Sequence, residues 1–263
     1  MSSPVSPPVA VILAAGLGKR LGDLTANRPK ALLPLGAGGV TFLDFSLRLL
    51  LPRVSRAYVM GGHRFDVLTA HLAAQHREAA GKITALEFKD YERVNNIGTF
   101  LRAREAFANG AMLLNSDIVY HPAILDRAFE AYRADPGQSF LVVDDLVVLD
   151  EEQMKVTLNP LGHVTGINKK LPPEESLGEY IGILYLTAAD ARRAIAAGDR
   201  LVAEGKTNLY YEDAVAAVLP QIGLRVVTAG GHPNTEVDTP EDYARAKAIY
   251  DRLAREGALP WKE

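Results

Sequence analysis

Val9-Ala-Val-Ile-Leu-Ala-Ala15 runs straight into Gly16-Leu-Gly-Lys-Arg-Leu-Gly22, and Asn27-Arg-Pro-Lys-Ala31 follows closely. The apolar run shows no alternation, so it reads as a strand buried on both faces, the kind found in parallel sheets. Glycines placed directly after such a strand let the backbone approach a ligand, and successive N–H groups form an anion nest. Lys19, Arg20, Arg28 and Lys30 add four cations within twelve residues. That density suits a polyphosphate. Two common phosphate motifs are excluded. No Gly-Lys-Ser/Thr appears, so this is not a Walker loop. Leu21 stands where the third glycine of a dinucleotide fingerprint belongs, and no acidic residue ends the second strand.

Outward from this loop, short apolar runs at 56–60, 83–88, 111–115, 140–143 and 180–186 recur between helical patterns at 41–51, 65–77, 99–107 and 122–133. Strand–helix alternation through residue 145 predicts an α/β fold, a doubly wound and mostly parallel sheet with helices on both faces, Rossmann-like. Beyond it, runs at 154–158 and 164–167 read as a small β excursion. Helices are expected at 188–203, 212–219 and 240–256. The expected organisation is a disordered tail over 1–8, a single domain over 9–256 and a C-terminal tail over 257–263.

Composition narrows the function classes. Apolar residues make up 48% and charged ones 23%, which excludes global disorder. Lys and Arg number 29 against 32 Asp and Glu, so the basic excess of a nucleic-acid binder is missing and any phosphate is held locally. With no cysteine, disulfides, thiolate nucleophiles and Cys-ligated metals are excluded together. The first eight residues carry no Lys or Arg, and the apolar run 9–15 is too short for a secretory core or membrane span. A cytoplasmic protein with no membrane partner is expected. His71 and His76 are five apart and do not stack on one helix face, so spacing gives no metal pair. No Gly-x-Ser-x-Gly supports serine-hydrolase chemistry.

Leu13-Ala-Ala-Gly-x-Gly-x-Arg-Leu21, then Arg28-Pro-Lys-Ala-Leu-Leu-Pro-Leu35, closely resembles the signature of the nucleotidyltransferases that activate sugar phosphates and related phosphoesters. The later blocks resemble the cytidylyltransferase branch, which includes phosphocholine cytidylyltransferases of the bacterial choline-incorporation type. They are Asn95-Asn-Ile-Gly-Thr99, Asn115-Ser-Asp-Ile118, Glu152-Gln-Met-Lys-Val156, Gly178-Glu-Tyr-Ile-Gly-Ile183, Tyr210-Tyr-Glu-Asp213 and Thr235-Glu-Val-Asp-Thr-Pro-Glu-Asp242.

The resemblance implies transfer of CMP from CTP to a small phosphoester or phosphonate, such as phosphocholine or aminoethylphosphonate, with Mg²⁺ as cofactor and pyrophosphate released. Residues 9–145 then form the nucleotide-binding half and 146–256 the acceptor-binding half. By the same likeness Leu13, Ala14, Ala15, Gly16 and Gly18 cradle the nucleotide, and Arg20 neutralises its leaving end. Lys30 bridges the α-phosphate and the incoming phosphate. Pro29 stiffens the segment that carries it. A loop lysine contributes little packing, so losing it is expected to spare folding. Lys169 matches a second lysine near the acceptor phosphate, although Lys170 is an equal occupant on chemistry.

Asp117 follows a buried strand, where doubly wound sheets put their ligands. The family usually carries Asp-x-Asp here, and this chain has Asn115 at the first position. Asp238 is the implied second metal carboxylate. It could instead cap the helix before Pro240, but Thr239 can take that duty. Asn95, Asn96 and Thr99 match a base-reading segment and read equally well as a polar turn and cap. Glu179, Tyr180, Tyr210 and Glu212 are expected around the acceptor. With Tyr185, Tyr211 and Asp144 they supply the ingredients of a cation-binding cage. The only tryptophan, Trp261, lies in the C-terminal tail. Sugar-1-phosphate uridylyl- or thymidylyltransferase, inositol-1-phosphate cytidylyltransferase and a non-catalytic nucleotide-sensing subunit stay open, as does a homodimer.

Overall fold

In the computed structural model, which describes residues 5–36 and 38–261, the quoted apolar run is strand β1 (Val9–Ala14). Along the chain follow α1 (Phe42–Leu50), β2 (Arg56–Gly61), α2 (Phe65–Gln75), β3 (Ile83–Glu87), α3 (Asn96–Arg102), β4 (Ala111–Asn115), β5 (Ile118–Tyr120), α4 (Pro122–Ala134) and β6 (Phe140–Asp144). The second part adds β7 (Lys155–Leu158), β8 (Val164–Asn168), β9 (Gly178–Leu186), α5 (Ala188–Ala203), α6 (Tyr211–Ala216), β10 (Arg225–Thr228), β11 (Asn234–Glu236) and α7 (Pro240–Arg255). The main sheet has the order β10-β6-β9-β4-β1-β2-β3, with the β7/β8 hairpin hung from β9. β1 pairs in parallel with β2 and β4; β9 runs antiparallel to β4 and β6.

The missing alternation in β1 has a direct cause. Ala10, Ile12 and Ala14 point into one core, beside Phe45 of α1, Ile124 of α4 and Tyr250 of α7. Val11 and Leu13 point into the other, beside Phe100 of α3, Ala194 of α5 and Val215 of α6. Both faces are covered, so every position is apolar. The mostly parallel doubly wound sheet expected from the sequence is the fold observed, and no helix among the described residues is long and apolar enough to cross a membrane.

Several boundaries differ. The helix expected at 99–107 begins at Asn96, because the Asn95 side chain accepts the Asn96 N–H, and a separate 3₁₀ turn covers Arg104–Phe107. The helix expected at 212–219 ends at Ala216, and the next turn, Leu219–Gln221, contains Pro220. β5, β10 and β11 were not expected. Both expected tails are packed over part of their length. The Ser6 carbonyl accepts the Tyr132 hydroxyl, the Pro8 carbonyl accepts the Ser55 N–H, and Trp261 meets Phe45 edge-on. Residues 1–4 and 262–263 of those tails lie outside the described residues.

β9 carries a bulge against β6. From Leu141↔Leu184 to Val143↔Tyr180, β9 advances four residues while β6 advances two. Gly182 sits at this point with φ +75°. A Cβ there would lie 2.5 Å from Ile118 Cδ1 and 2.8 Å from Asn115 Nδ2. Gly182→Ala therefore combines left-handed strain with overpacking and should destabilise by about 2–4 kcal/mol. Urea unfolding measures this, and an unchanged midpoint would remove the bulge from the stability account.

Candidate active site

The C-terminal ends of β1 and β4 open into a cleft of about 1060 Å³, large enough for a nucleotide and a second small molecule. The glycine-rich loop forms one wall. Gly18 holds φ +62°, and a Cβ on it would stand 3.0 Å from Thr25 Cγ2. Thr25 Oγ1 donates to the Gly18 and Gly22 carbonyls at 3.0 and 3.2 Å, which pins the loop; sequence reasoning did not single it out. Leu13, Ala14, Ala15, Gly16 and Gly18 all line the cleft. Lys19 and Arg20 do too, whereas Arg28 is exposed and does not.

Lys30 is buried, at 8% exposure, so it packs far more than was expected of a loop lysine. Its Nζ lies 2.7 Å from Asp117 Oδ2 and 3.0 Å from Asp238 Oδ1. Burial alone would lower the Lys30 ammonium; Asp117 and Asp238 outweigh it and hold the group above the ordinary lysine value. Arg20 Nη2 reaches Asp238 Oδ2 at 2.7 Å. Burial works to raise Asp238, but Lys30 and Arg20 hold its carboxyl below the usual range. Thr239 and Asp242 form the capping box of α7, leaving the Asp238 side chain to the cleft.

Glu236 joins Asp117 and Asp238, with ligand oxygens of the three all within 4.8 Å of one another. The signal for it was present: residues 236 and 238 are two apart on extended chain and share a face. Hard oxygen donors at this density fit Mg²⁺ better than any softer metal.

Asn95, Asn96 and Thr99 line the next wall. Both amide carbonyls are engaged: Asn95 Oδ1 accepts the Asn96 N–H, and Asn96 Oδ1 accepts the Tyr211 N–H at 2.9 Å. Asp144, Glu179, Tyr180, Tyr210 and Glu212 line the same cleft. Tyr180 is buried, its hydroxyl 2.7 Å from that of Tyr211, which in turn donates to Asn115 Oδ1. Tyr211 and Tyr185 do not line the cleft, which corrects their expected place in an aromatic cage; both are packed in the cores. Tyrosines at strand spacing more often pack than bind.

Burial, with Asp144 nearby, pushes the Glu179 carboxyl up to about 7. Burial pushes Glu212 up to about 8, and its Oε2 is buried without a hydrogen-bond partner. Lys169 lines the cleft and Lys170 does not, which separates two residues that the sequence left equal. Lys155, fully buried, donates to the Asp150 and Gln153 carbonyls at 2.7 and 3.3 Å and so straps the loop that edges the acidic wall.

A glycine-rich loop after a parallel strand, a lysine bridging two carboxylates, and a carboxylate cluster drawn from the end of β4 and from β11 define a nucleotide-handling α/β domain. The sequence matches the MobA-like NTP transferase domain over residues 10–201, and the chain belongs to that family. It is 34% identical over 140 residues to the CMP-5'-(3-aminopropyl)phosphonate synthase of Streptomyces rubellomurinus, covering 51% of this chain and 21% of that protein. The chain thus spans about a fifth of that relative's length. It is 23% identical to the choline-phosphate cytidylyltransferase of Streptococcus pneumoniae, across 91% of this chain and 97% of that one. The inositol-1-phosphate CTP transferase of T. maritima superposes with a TM-score of 0.74 at 19% identity, over 95% and 98% of the two chains.

Proposed function

We propose that this domain transfers CMP from CTP to a small phosphate- or phosphonate-bearing acceptor with a cationic head group. An oxygen of the acceptor forms a bond to the α-phosphorus, the bridging bond to the β-phosphate breaks, and its electron pair leaves with pyrophosphate. The observation that carries this reading is the charge of the cleft lining: Lys30 and Arg20 are held by Asp117 and Asp238 beside the glycine-rich loop, and Asp144, Glu179 and Glu212 give the same cleft an acidic wall. Two relatives are named for molecules that carry such a head group, choline phosphate and CMP-5'-(3-aminopropyl)phosphonate.

Little covalent help is required; orientation and charge neutralisation carry the rate. The Gly16–Gly18 backbone orients the triphosphate, Lys30 neutralises the transferring phosphate, and Arg20 the departing one. Lys169 meets the acceptor phosphate, and Asn95, Asn96 and Thr99 face the base. A divalent cation held by Asp117, Glu236 and Asp238 would supply further neutralisation of the triphosphate.

The test offers CTP, UTP and dTTP against phosphocholine, aminoethylphosphonate, inositol 1-phosphate and glucose 1-phosphate in Mg²⁺, following pyrophosphate. CTP should be preferred, and either cationic acceptor should exceed the neutral ones in kcat/KM by about 1–2 kcal/mol, roughly tenfold. Preference for glucose 1-phosphate would sink the acceptor assignment. Nucleotide binding without turnover on any acceptor would point to a sensor instead.

A further inference from the structure

Asp44, His71 and His76 meet away from the cleft, and none of them lines it. Spacing argued against a pair of histidines five apart on one helix. α2, however, ends at Gln75, so His76 is past the helical repeat, and the two rings stand 6.4 Å apart between centroids. Nε2 of His71 and Nε2 of His76 lie 2.8 and 2.7 Å from the same oxygen, Asp44 Oδ1. The other oxygen, Oδ2, accepts the Thr41 N–H at 3.0 Å and the Thr41 hydroxyl at 2.8 Å. The Asp44 and His76 side chains are 6% and 8% exposed, and His71 is 19% exposed.

We propose that Asp44, His71 and His76 bind a transition-metal dication of the zinc class, with a fourth position open to water on the His71 side. Two imidazole nitrogens and one carboxylate oxygen, all within 4.8 Å of one another, are donors that zinc and cobalt take and Mg²⁺ does not favour. The Thr41 bonds fix the carboxylate as outer partners of a ligand do. Bond lengths of about 2.0–2.1 Å to each donor require the nitrogens to draw back from Oδ1 by about half an ångström. In the metal-free protein each Nε2–H donates to Asp44 Oδ1, so binding an ion through Nε2 requires each neutral imidazole to shift that proton to Nδ1 by exchange with solvent, a change of tautomer that leaves the proton count unchanged. The ion would clamp the first turn of α1 to the end of α2.

Metal-free protein with Mg²⁺ in excess, to occupy the cleft carboxylates, is titrated with Zn²⁺ by calorimetry and with Co²⁺ by visible absorption. One ion per chain and a tetrahedral cobalt spectrum are expected. At about a hundredfold excess over Kd, Zn²⁺ should raise Tm by roughly 5–10 °C. His71→Ala should weaken binding by more than the 10–100-fold that loss of an outer partner costs. In the unaltered protein, imidazole NMR should show Zn²⁺ perturbing two of the six histidines, so the assignment does not depend on a variant folding. No stoichiometric binding, affinity retained in His71→Ala, or perturbation of other histidines would each overturn the site.

Discussion

Lys30→Met turns over about 10²–10³-fold more slowly than the unaltered protein at saturating CTP, acceptor and Mg²⁺. Methionine keeps most of the volume and removes the charge. What is lost is a cation already oriented by two carboxylates, so no reorganisation is needed when charge develops on the transferring phosphate. The sequence alone suggested that folding would be spared; the buried position changes that. Without the ammonium, Asp117, Glu236 and Asp238 crowd together with no buried counter-charge. Stability without divalent ions should fall by about 1–3 kcal/mol, discounted because Asp238 is one-third exposed, and Mg²⁺ should restore part of it. Turnover equal to the unaltered protein would remove Lys30 from the reaction.

Glu212→Gln should move two measurements in opposite directions. With its carboxyl raised to about 8 by burial, Glu212 is mostly protonated at neutral pH in the free protein. A cationic head beside the Glu212 carboxyl favours the carboxylate, so acceptor binding expels a proton and KM should fall as pH rises from about 6 to 9. In the variant that slope flattens, and KM for the cationic acceptor rises by about 10–100-fold, the worth of one charged hydrogen bond. Calorimetry in two buffers of different ionisation enthalpy reads the proton directly. The stability sign is opposite. The folded value lies above the unfolded 4.5, so the folded chain binds more protons between them and stability falls as pH rises through that window. Glutamine removes the cost, and the variant should be more stable at pH 8 by about 1–3 kcal/mol, with little change at pH 4. A pH-independent KM in the unaltered protein would take Glu212 out of the acceptor site.

The parts legible in the sequence are those set by short-range rules. β1 and its loop stand out because two-sided burial leaves only apolar residues, and the glycines stand out because few other residues serve there. Lys30, Asp117 and Asp238 were named from motif order, and the structure brings their side chains to within 3.0 Å. β5 and β11 are three residues each and pair only with one another, giving no run long enough to read. Tyr185 and Tyr211 were misplaced because composition cannot say which face of an element carries a ring. The meeting of Asp44, His71 and His76 was missed because the helical repeat was applied one residue beyond the helix.

β9 lies between β4 and β6, though it follows both in the chain by dozens of residues. Until Leu186 has left the ribosome, those two strands have nothing to join them, and each presents unpaired N–H and C=O groups. The first half therefore cannot close its sheet during synthesis, whatever its local propensities. Closing it late requires long loops and pushes the folding rate toward that of non-local topologies. The strand that seats Glu179 and Tyr180 in the cleft is thus also the wedge that completes the sheet, so the acidic wall and the closed sheet arise in one event.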